Sequence, residues 1–507
     1  MRQETAPLAA PQLGSRAAIA RNAFYLVIGQ VSTTALAIVL SAALGRTLGA
    51  GDFGLYFLIS SFATFAYVVV DWGQQFYVIR EVARTPERGG ELLGATLTLR
   101  TAGAALISIP VGLVTWALGY DARTCWFSVA FIIATLPFAL AQSYGFVFRG
   151  RDRMGLEASV SVVNKGVTLV LALSALALGA GLSGVVVAQG LAGAVALAVA
   201  RRLYRRVATG SVRWSAQTAR EVLAGGSALV TMMVAASVQP YIDAIILSKL
   251  VPADAVGWFG AAKYIMGTLM APSLILGAAV FPRLSRAASE VSTFKTEVRA
   301  TLRPMLFLGA LAAVGTYLFA GDVIAIVYGQ RHFGPAEMIL KAYAPGFFLL
   351  FIDVLFGYAL TALGRAAALS VAKVGSVLIS TGLALVLIPL FQRRSGNGGI
   401  GVAVAFVVSE LVVFGGAAFL LPRRSLGPAV LMDMGRALAA AAATALLFRW
   451  LPPLPIFVSI PTCVLSFTLL ALALGLVRRS DLLLLQGIAR GRVAAPAAVE
   501  QSPTPLP

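Results

Sequence analysis

The sequence predicts an all-α integral membrane protein with about fourteen transmembrane helices. Its composition is 59% hydrophobic and 12% charged, with a mean hydropathy of +0.87. Apolar stretches long enough to cross a bilayer fill the chain from Asn22 to Val477. All six tryptophans lie near an expected span end or in a short loop, as in an aromatic belt. Helices are expected throughout because they satisfy their own backbone hydrogen bonds in lipid.

The boundaries of the spans follow from hydropathy and from turn-forming residues between them. The expected spans are 22–45, 54–71, 92–118, 125–148, 158–179, 183–203, 221–248, 256–281, 303–328, 337–361, 369–390, 399–421, 430–450 and 454–477. Glycine or proline turns mark junctions at 49–51, 179–184, 252–254 and 396–399. Prolines within spans are candidates for kinks or hinges. They include Pro110, Pro137, Pro272, Pro345 and Pro389.

The distribution of Lys and Arg predicts the orientation of the chain. With a cytoplasmic N-terminus, the inner segments hold 30 of the 40 cations and the outer loops hold eight. This split predicts that both termini are cytoplasmic. The net charge of +19 then reflects orientation and contact with anionic lipids. It does not indicate nucleic-acid binding, because no aromatic platform accompanies the cations.

Sequence features at the two ends and the missing motifs narrow the function further. The first 20 residues lack an apolar core, so no removable signal peptide is expected. The tail from about Gly487 is expected to be disordered. No Gly-Lys dipeptide and no Asp-x-Asp occur, which argues against a P-loop and a metal-dependent glycosyltransferase. Cys125, Cys463 and His332 indicate no metal site. The chain is therefore predicted to be a transporter, not an enzyme, with no metal or cofactor.

A short pattern recurs about 200 residues apart. Leu44-Gly45-Arg46 precedes the run from Gly51 to Tyr56, and Leu247-Ser248-Lys249 precedes the run from Ala253 to Trp258. In both places a cation ends one helix and an Asp caps the next. The basic segment 201–220 separates six spans from eight. The recurrence indicates two duplicated lobes, the usual basis of alternating access.

Several motifs in residues 21–100 resemble the polysaccharide-export flippases of the multidrug/oligosaccharidyl-lipid/polysaccharide superfamily. They are Arg21-Asn22-Ala23, the run Leu48 to Tyr56, Asp71-Trp72-Gly73, the run Ile79 to Arg84, and the run Leu93 to Arg100. Asp243 matches an Asp on the seventh helix of that family. The likeness is looser through about residue 420, and the pair 430–450 and 454–477 resembles the extra helices of the lipid II flippase branch.

The resemblance implies two six-helix lobes in a pseudo-symmetric V, plus the two extra C-terminal helices. The expected organisation is a cytoplasmic tail (1–21), a first lobe (22–203), a basic linker (204–220), a second lobe (221–421), the extra pair (422–477) and a cytoplasmic tail with a disordered end (478–507). The implied activity moves undecaprenyl-diphosphate-linked oligosaccharide across a bacterial inner membrane. The implied product is O-antigen, capsule or exopolysaccharide.

Ionisable residues inside the spans are expected to face the protein interior. At roughly 2.5–3.5 kcal/mol each, six of them facing lipid would cost on the order of 15–20 kcal/mol. That exceeds a typical folding stability of about 5–15 kcal/mol. The six are Lys165, Asp243, Lys263, Asp353, Lys373 and Glu410.

Polar residues also recur at helical spacing along the second span. Tyr56, Ser60, Thr64, Tyr67 and Asp71 follow one another at steps of three or four, and Gln239 lies one turn before Asp243 on the seventh span. Such stripes either line a cavity or hydrogen-bond neighbouring helices.

The charged residues have alternative roles in such a flippase. Lys165 and Lys263 either contact the diphosphate or pair with carboxylates, and Lys373 lies nearer the cytoplasmic end, where snorkelling costs little. Asp243 either carries a coupling Na⁺ or H⁺, holds a lysine or anchors packing; Asp353 and Glu410 share the first two roles. Arg80 and Arg100 either capture incoming diphosphate or act as positive-inside anchors.

Two other functions remain open at this point. A cation-coupled multidrug exporter predicts a cavity dominated by acids, whereas the six ionisable residues well inside the spans are three acids and three bases. A lipid II flippase fits the fourteen spans. The expected partners are the lipid-linked oligosaccharide, membrane lipids, and a polysaccharide polymerase with other assembly proteins.

Overall fold

The computed structural model describes residues 13–207, 211–237, 239–422, 426–452 and 454–477, with the side chains of Tyr25 and of residues from Val27 onward except those of 228–240. Twelve helical segments within these ranges are long and apolar enough to cross a membrane. The prediction of an all-α membrane protein is confirmed. The expected tail 478–507 lies outside the described residues.

The first half of the chain folds into six α-helices and one 3₁₀ turn. They are α1 (Leu13–Asp71), α2 (Gln74–Arg84), the 3₁₀ turn (Pro86–Arg88), α3 (Gly89–Ala117), α4 (Ala122–Gly150), α5 (Met154–Ala177) and α6 (Gly181–Val207). Helix α1 begins at Leu13, within the expected tail 1–21. Pro110 and Pro137 lie inside α3 and α4 without ending them.

Helix α1 contains both of the first two expected spans. Its only non-helical residue is Gly49, with φ 74° and ψ 177°. Glycine adopts a positive φ without the steric cost that a Cβ imposes. The expected loop of several residues between the spans is therefore replaced by a break at one glycine.

The second half of the chain forms eleven helices within the described ranges. They are α7 (Ala216–Ser237), α8 (Gln239–Leu250), α9 (Ala253–Leu269), α10 (Ala271–Ala287), α11 (Val291–Val327), α12 (Gln330–Phe333), α13 (Ala336–Ala362), α14 (Ala366–Ser395), α15 (Gly399–Leu420), α16 (Pro428–Trp450) and α17 (Ile456–Ala473).

The expected span 221–248 corresponds to α7 and α8, and residue 238 between them lies outside the described residues. Another expected span in this half is interrupted near a proline. Span 256–281 forms α9 and α10, which separate at Met270, two residues before Pro272. Proline lacks an amide donor and clashes with the preceding turn, so a new helix begins at it more easily than one continues through it.

The expected count of fourteen spans is not confirmed. One difference is that Val27–Asp71 forms a single helical segment of 45 residues. The other is that neither α7 nor α8 is among the twelve candidates.

The two halves interlock where α1 crosses α9. A Cβ placed on Gly54 would lie 2.3 Å from the carbonyl oxygen of Ala253, and one placed on Gly257 would lie 2.1 Å from that of Ala50. Each helix thus presents a small-x-x-x-small pair to the other, which permits close backbone approach. The two contacts are reciprocal, since each alanine meets the glycine of the other helix.

Two tyrosine contacts flank this crossing, and each joins the two halves. The hydroxyl groups of Ser41 on α1 and Tyr328 after α11 are 3.1 Å apart. Those of Ser248 on α8 and Tyr120 after α3 are 2.6 Å apart. The ammonium group of Lys249 lies 3.1 Å from the centroid of the Tyr120 ring. We call this part of the bundle, defined by Gly54, Gly257, Tyr120 and Tyr328, the closed end.

The last two helices pack against the second half. Asp433 on α16 is 2% exposed and lies 2.9 Å from the guanidinium group of Arg303 on α11. Arg436 contacts the same carboxylate at 3.1 Å. The Phe307 and Phe467 rings, 5.2 Å apart, join α11 to α17. The pair is therefore fixed to α11.

Candidate functional site

A cavity of about 960 Å³ lies between the two halves of the chain. Helices α1, α4, α5 and α6 form one wall, and α8, α9, α10, α13, α14 and α15 form the other. Tyr56 and Phe57 bound it near the closed end, and its wall follows α1 as far as Tyr67. Eleven residues of helix correspond to about 16 Å, so the cavity reaches deep into the bundle.

The wall from the first half includes most of the predicted polar stripe. Tyr56, Ser60, Thr64 and Tyr67 line the cavity. The Ser60 and Thr64 hydroxyl groups donate to carbonyls of their own helix, at 2.8 and 2.7 Å. Their oxygen lone pairs remain able to accept hydrogen bonds from a ligand. The side chain of Gln239 lies outside the described part of the structure.

Further amides and hydroxyls on this wall were not predicted. They are Gln30, Thr33, Thr34, Thr135, Gln142 and Gln189. Gln30, Thr33 and Thr34 occupy one helical face. Their helical spacing could therefore have predicted a polar stripe like the one on the second span. Gln142 and Gln189 are isolated polar residues on apolar helices, and only the tertiary structure brings them together.

Lys165 stands apart from the other lysines of the cavity. It lies in the middle of α5, on the wall. It forms no ion pair with any carboxylate in the described ranges. The expected alternative of a lysine paired between helices therefore does not apply to it, and its charge faces a wall of neutral polar groups.

Lys263 is held by a carboxylate and by aromatic rings. Its ammonium group lies 3.9 Å from Asp243, which is 2% exposed. It also lies 5.2 Å from the ring centroids of Tyr343 and Phe406 and 5.6 Å from that of Phe259. Cation–π attraction strengthens where water is excluded. Of the three alternatives for Asp243, the geometry matches the partner of a lysine.

A second charged group lies on the same wall. The Lys373 ammonium group is 2.8 Å from an oxygen of Asp353. The carboxylate of Glu410, 6% exposed, interacts electrostatically with Asp353, Lys373 and Lys263. One oxygen each of Glu410 and Asp353 has no hydrogen-bond partner among the described residues. Together with Asp243, which does not line the cavity but pairs with Lys263, these residues are three carboxylates and two lysines.

Arg100 and Asp71 lie away from the cavity wall, contrary to expectation. Arg100 is 4% exposed and Asp71 is 7% exposed, and the two form an ion pair. The guanidinium group also donates to the Ala139 carbonyl at 2.6 Å and lies 4.7 Å from the Phe146 ring centroid. With these contacts, Arg100 is not an exposed residue at a cavity mouth.

Arg80 is exposed and also lies off the cavity wall. Its side chain is 53% exposed and its guanidinium group lies 3.1 Å from Glu81. Both roles considered for it, capture of incoming diphosphate and a positive-inside anchor, remain predictions.

The sequence matches a known protein family over more than half of its length. The matching family is "Polysaccharide biosynthesis protein", over residues 19–288. The chain belongs to this family. The predicted resemblance to polysaccharide-export proteins is confirmed.

Two relatives extend the likeness beyond the matched segment. "Probable low-salt glycan biosynthesis flippase Agl15" of Haloferax volcanii is 23% identical over 400 residues, which cover 78% of this chain and 81% of the relative. "Putative O-antigen transporter" of Shigella flexneri is 22% identical over 410 residues, covering 78% and 95%. The prediction of a membrane transporter of polysaccharide biosynthesis, not an enzyme, is confirmed.

Solved structures show the same fold. The lipid II flippase MurJ in an inward closed conformation gives a TM-score of 0.66 at 13% identity, covering 90% of this chain and 99% of that one. An inward-facing MATE family transporter of the MOP superfamily gives 0.61 at 14% identity, covering 76% and 93%. At these identities the likeness concerns the fold alone.

Proposed function

We propose that the chain is a flippase for a lipid-linked oligosaccharide whose head carries a diphosphate, most specifically an undecaprenyl-diphosphate oligosaccharide for surface polysaccharide. The proposal places it in a bacterial inner membrane with both termini cytoplasmic. It rests on one observation above the others, which is the unpaired Lys165 in a neutral polar wall of the cavity. Membership in the polysaccharide biosynthesis protein family supports it.

The cavity chemistry suits a diphosphate joined to sugars. A phosphate charge is strongly disfavoured in the hydrocarbon layer, and a lysine free of carboxylates is available to neutralise it. Amide and hydroxyl groups such as Gln142, Gln189 and Thr64 match the donors and acceptors of sugar hydroxyls. The polyprenyl tail would remain in lipid, since only the polar head needs the cavity.

The proposed architecture has fourteen crossings in two lobes, 22–203 and 221–421, followed by the pair α16 and α17. The segment Val27–Asp71 has 45 residues, or about 68 Å of helix, roughly twice the hydrocarbon thickness. We therefore count it as two crossings that meet at Gly49. Helices α7 and α8 together supply the other additional crossing.

Internal duplication of the lobes is supported by positions 203 residues apart. Leu44 and Leu247, Arg46 and Lys249, Ala50 and Ala253, and Gly54 and Gly257 all keep this separation. The last two pairs make the reciprocal contacts at the closed end. A pseudo-two-fold relation between the lobes accounts for both the spacing and the contacts.

The proposed mechanism is alternating access by rocking of the lobes. In the state described here the halves meet at the closed end, and the cavity extends away from it. The abundance of cations at the opposite end supports a cytoplasmic position for that end. A potential negative inside favours outward movement of the anionic head by about 2.3 kcal/mol per charge per 100 mV.

Glu410 is the proposed position for a coupling H⁺ or Na⁺. Asp243 and Asp353 already face lysines, at 3.9 and 2.8 Å. Glu410 is the third carboxylate beside two lysines, and one of its oxygens lacks a hydrogen-bond partner in the described structure. A polymerase and other assembly proteins remain proposed partners.

Replacing Lys165 with glutamine is expected to slow flipping by about tenfold or more. This factor corresponds to the loss of one charged hydrogen bond to phosphate, which is worth about 1.5–3 kcal/mol. The purified full chain is reconstituted into vesicles with a labelled polyprenyl-diphosphate oligosaccharide. The label that an external glycosidase can reach is then measured over time. Lys341→Gln is the matched control, because Lys341 lies off the cavity wall and pairs with Glu337 at 2.7 Å.

Each outcome separates the candidate functions. Loss of flipping in Lys165→Gln but not in Lys341→Gln supports both the activity and the role of Lys165. Equal rates for Lys165→Gln and the unaltered chain reject the role of that lysine only. No flipping by the unaltered chain, with transport of lipid II or of cationic drugs instead, rejects the proposed substrate.

A further inference from the structure

The end of α6 carries an unusual concentration of positive charge. Arg201, Arg202, Arg205 and Arg206 occupy four of six consecutive positions, and all four side chains are exposed. The helix Gly181–Val207 contains no Asp or Glu. None of the four arginines forms an ion pair with a residue that the structure describes.

Three other arginines of the first half form ion pairs or hydrogen bonds within the protein. Arg88 lies 2.7 Å from Glu221, and Arg149 is paired with Glu157. Arg151 donates to the Pro86 carbonyl at 2.6 Å. The described cations at this end of the bundle thus include paired residues, whereas all four arginines of α6 are without an ion pair.

The four arginines face away from the central cavity. Gln189 is the residue of α6 that lines that cavity. At about 100° per residue, the arginines lie roughly 100–160° around the helix from it. Val187, Leu191 and Val195 share the arginine side and are exposed at 59%, 54% and 42%. Exposed apolar residues on a membrane helix contact lipid tails, so the arginines lie where that surface meets the head groups.

A surface groove of about 700 Å³ runs between the arginine side chains. Ala194, Leu197 and Ala198 form its floor one turn before the charges. The two alanines leave room for an acyl chain along the helix. Two rows of guanidinium groups, at i, i+4 and i+1, i+5, present paired donors of the kind that bind phosphate oxygens bidentately.

We propose that this groove binds an anionic phospholipid, with its phosphate between the arginines and an acyl chain over Ala194 and Ala198. The charge complementarity and the lipid-facing apolar floor both favour this ligand. A substrate lipid on its way to the cavity is a weaker candidate because the groove opens on the opposite face of α6 from Gln189.

The test measures phospholipid binding to the purified full chain by native mass spectrometry, with palmitoyl-oleoyl phosphatidylglycerol against the phosphatidylcholine of the same chains. The variant replaces all four arginines with glutamine. Each removed arginine is expected to weaken binding about fivefold. A matched variant, Arg84→Gln/Arg286→Gln/Lys295→Gln/Arg299→Gln, removes the same charge elsewhere and is expected to bind as the unaltered chain does.

A second variant keeps the charge and fills the groove. Ala198→Trp is expected to reduce phosphatidylglycerol binding at least about tenfold if the acyl chain lies on Ala198. This variant also tests the proposal if the quadruple variant does not fold. Folding of each variant is judged by elution of the purified protein as a single species.

Three results would overturn the proposal. One is an equal loss of binding in the two quadruple variants, which would mean that only total charge matters. Another is no preference for phosphatidylglycerol over phosphatidylcholine. The third is displacement of bound phosphatidylglycerol by an equal concentration of a polyprenyl diphosphate, which would assign the groove to the transported lipid. All three results are measurements of lipid binding, and none of them depends on the flipping activity of the chain.

Discussion

Alanine at Gly257 is expected to prevent the closed end from forming and to reduce transport by about tenfold or more. The added Cβ would lie 2.1 Å from the Ala50 carbonyl oxygen, a backbone atom that no rotamer change can move away. Gly54→Ala is expected to have the same effect because it meets the Ala253 carbonyl at 2.3 Å. To accommodate the added Cβ, α1 and α9 would have to move apart in the closed state. This movement would weaken the packing that stabilises the closed end.

The measurement is the accessibility of a cysteine at Ser60, on the cavity wall. Cys125 and Cys463 are first replaced, and an impermeant thiol reagent is added from the closed-end side of oriented vesicles. Labelling is expected to rise in Gly257→Ala and Gly54→Ala. Gly315→Ala on α11 is the control, since a Cβ there meets no atom within 4 Å. Unchanged labelling and transport in both variants would show that closure does not depend on this crossing.

Arg100→Met is expected to lower the free energy of unfolding by about 3–5 kcal/mol, because it leaves a buried carboxylate without its partner. Asp71 is 7% exposed, and its second oxygen already lacks a hydrogen-bond partner in the described structure. Denaturant unfolding of the full chain in mild detergent measures the change. The double variant Arg100→Met/Asp71→Leu is expected to recover most of the loss, since it removes both buried charges.

An exposed ion pair provides the comparison. Arg123 and Asp52 are 2.9 Å apart, with side chains 51% and 35% exposed. Arg123→Met is expected to cost less than about 1 kcal/mol, because water already screens that pair. If Arg100→Met costs no more than Arg123→Met, the Asp71–Arg100 pair is not a stabilising contact.

Hydropathy located the helices well because a membrane span needs about 20 apolar residues in succession. It did not locate the breaks within spans. Gly49 and Met270 interrupt or bend helices through backbone conformation and a nearby proline, and neither changes the hydropathy of the segment.

Charged positions in the cavity were predictable in part. The cost of a charge in lipid indicated that Lys263, Lys373 and Lys165 face inward. Which lysine has a carboxylate partner depends on residues distant in the chain, such as Asp353, 20 positions before Lys373. Asp71 followed the helical period of the cavity stripe, but Arg100 pairs with it away from the wall. The spacing of residues along one helix does not reveal an ion pair that is formed with another helix.

The reciprocal contacts of Ala50 with Gly257 and of Gly54 with Ala253 have the form of an isologous interface. In such an interface the same surface patch appears on both partners, related by a two-fold axis. A six-helix polypeptide carrying one Ala-x-x-x-Gly pair would make this contact with a second copy of itself. Under the proposed duplication of the lobes, the crossing of α1 and α9 corresponds to the interface of a homodimer retained within one polypeptide, and a change on one side of it has to remain compatible with the other side.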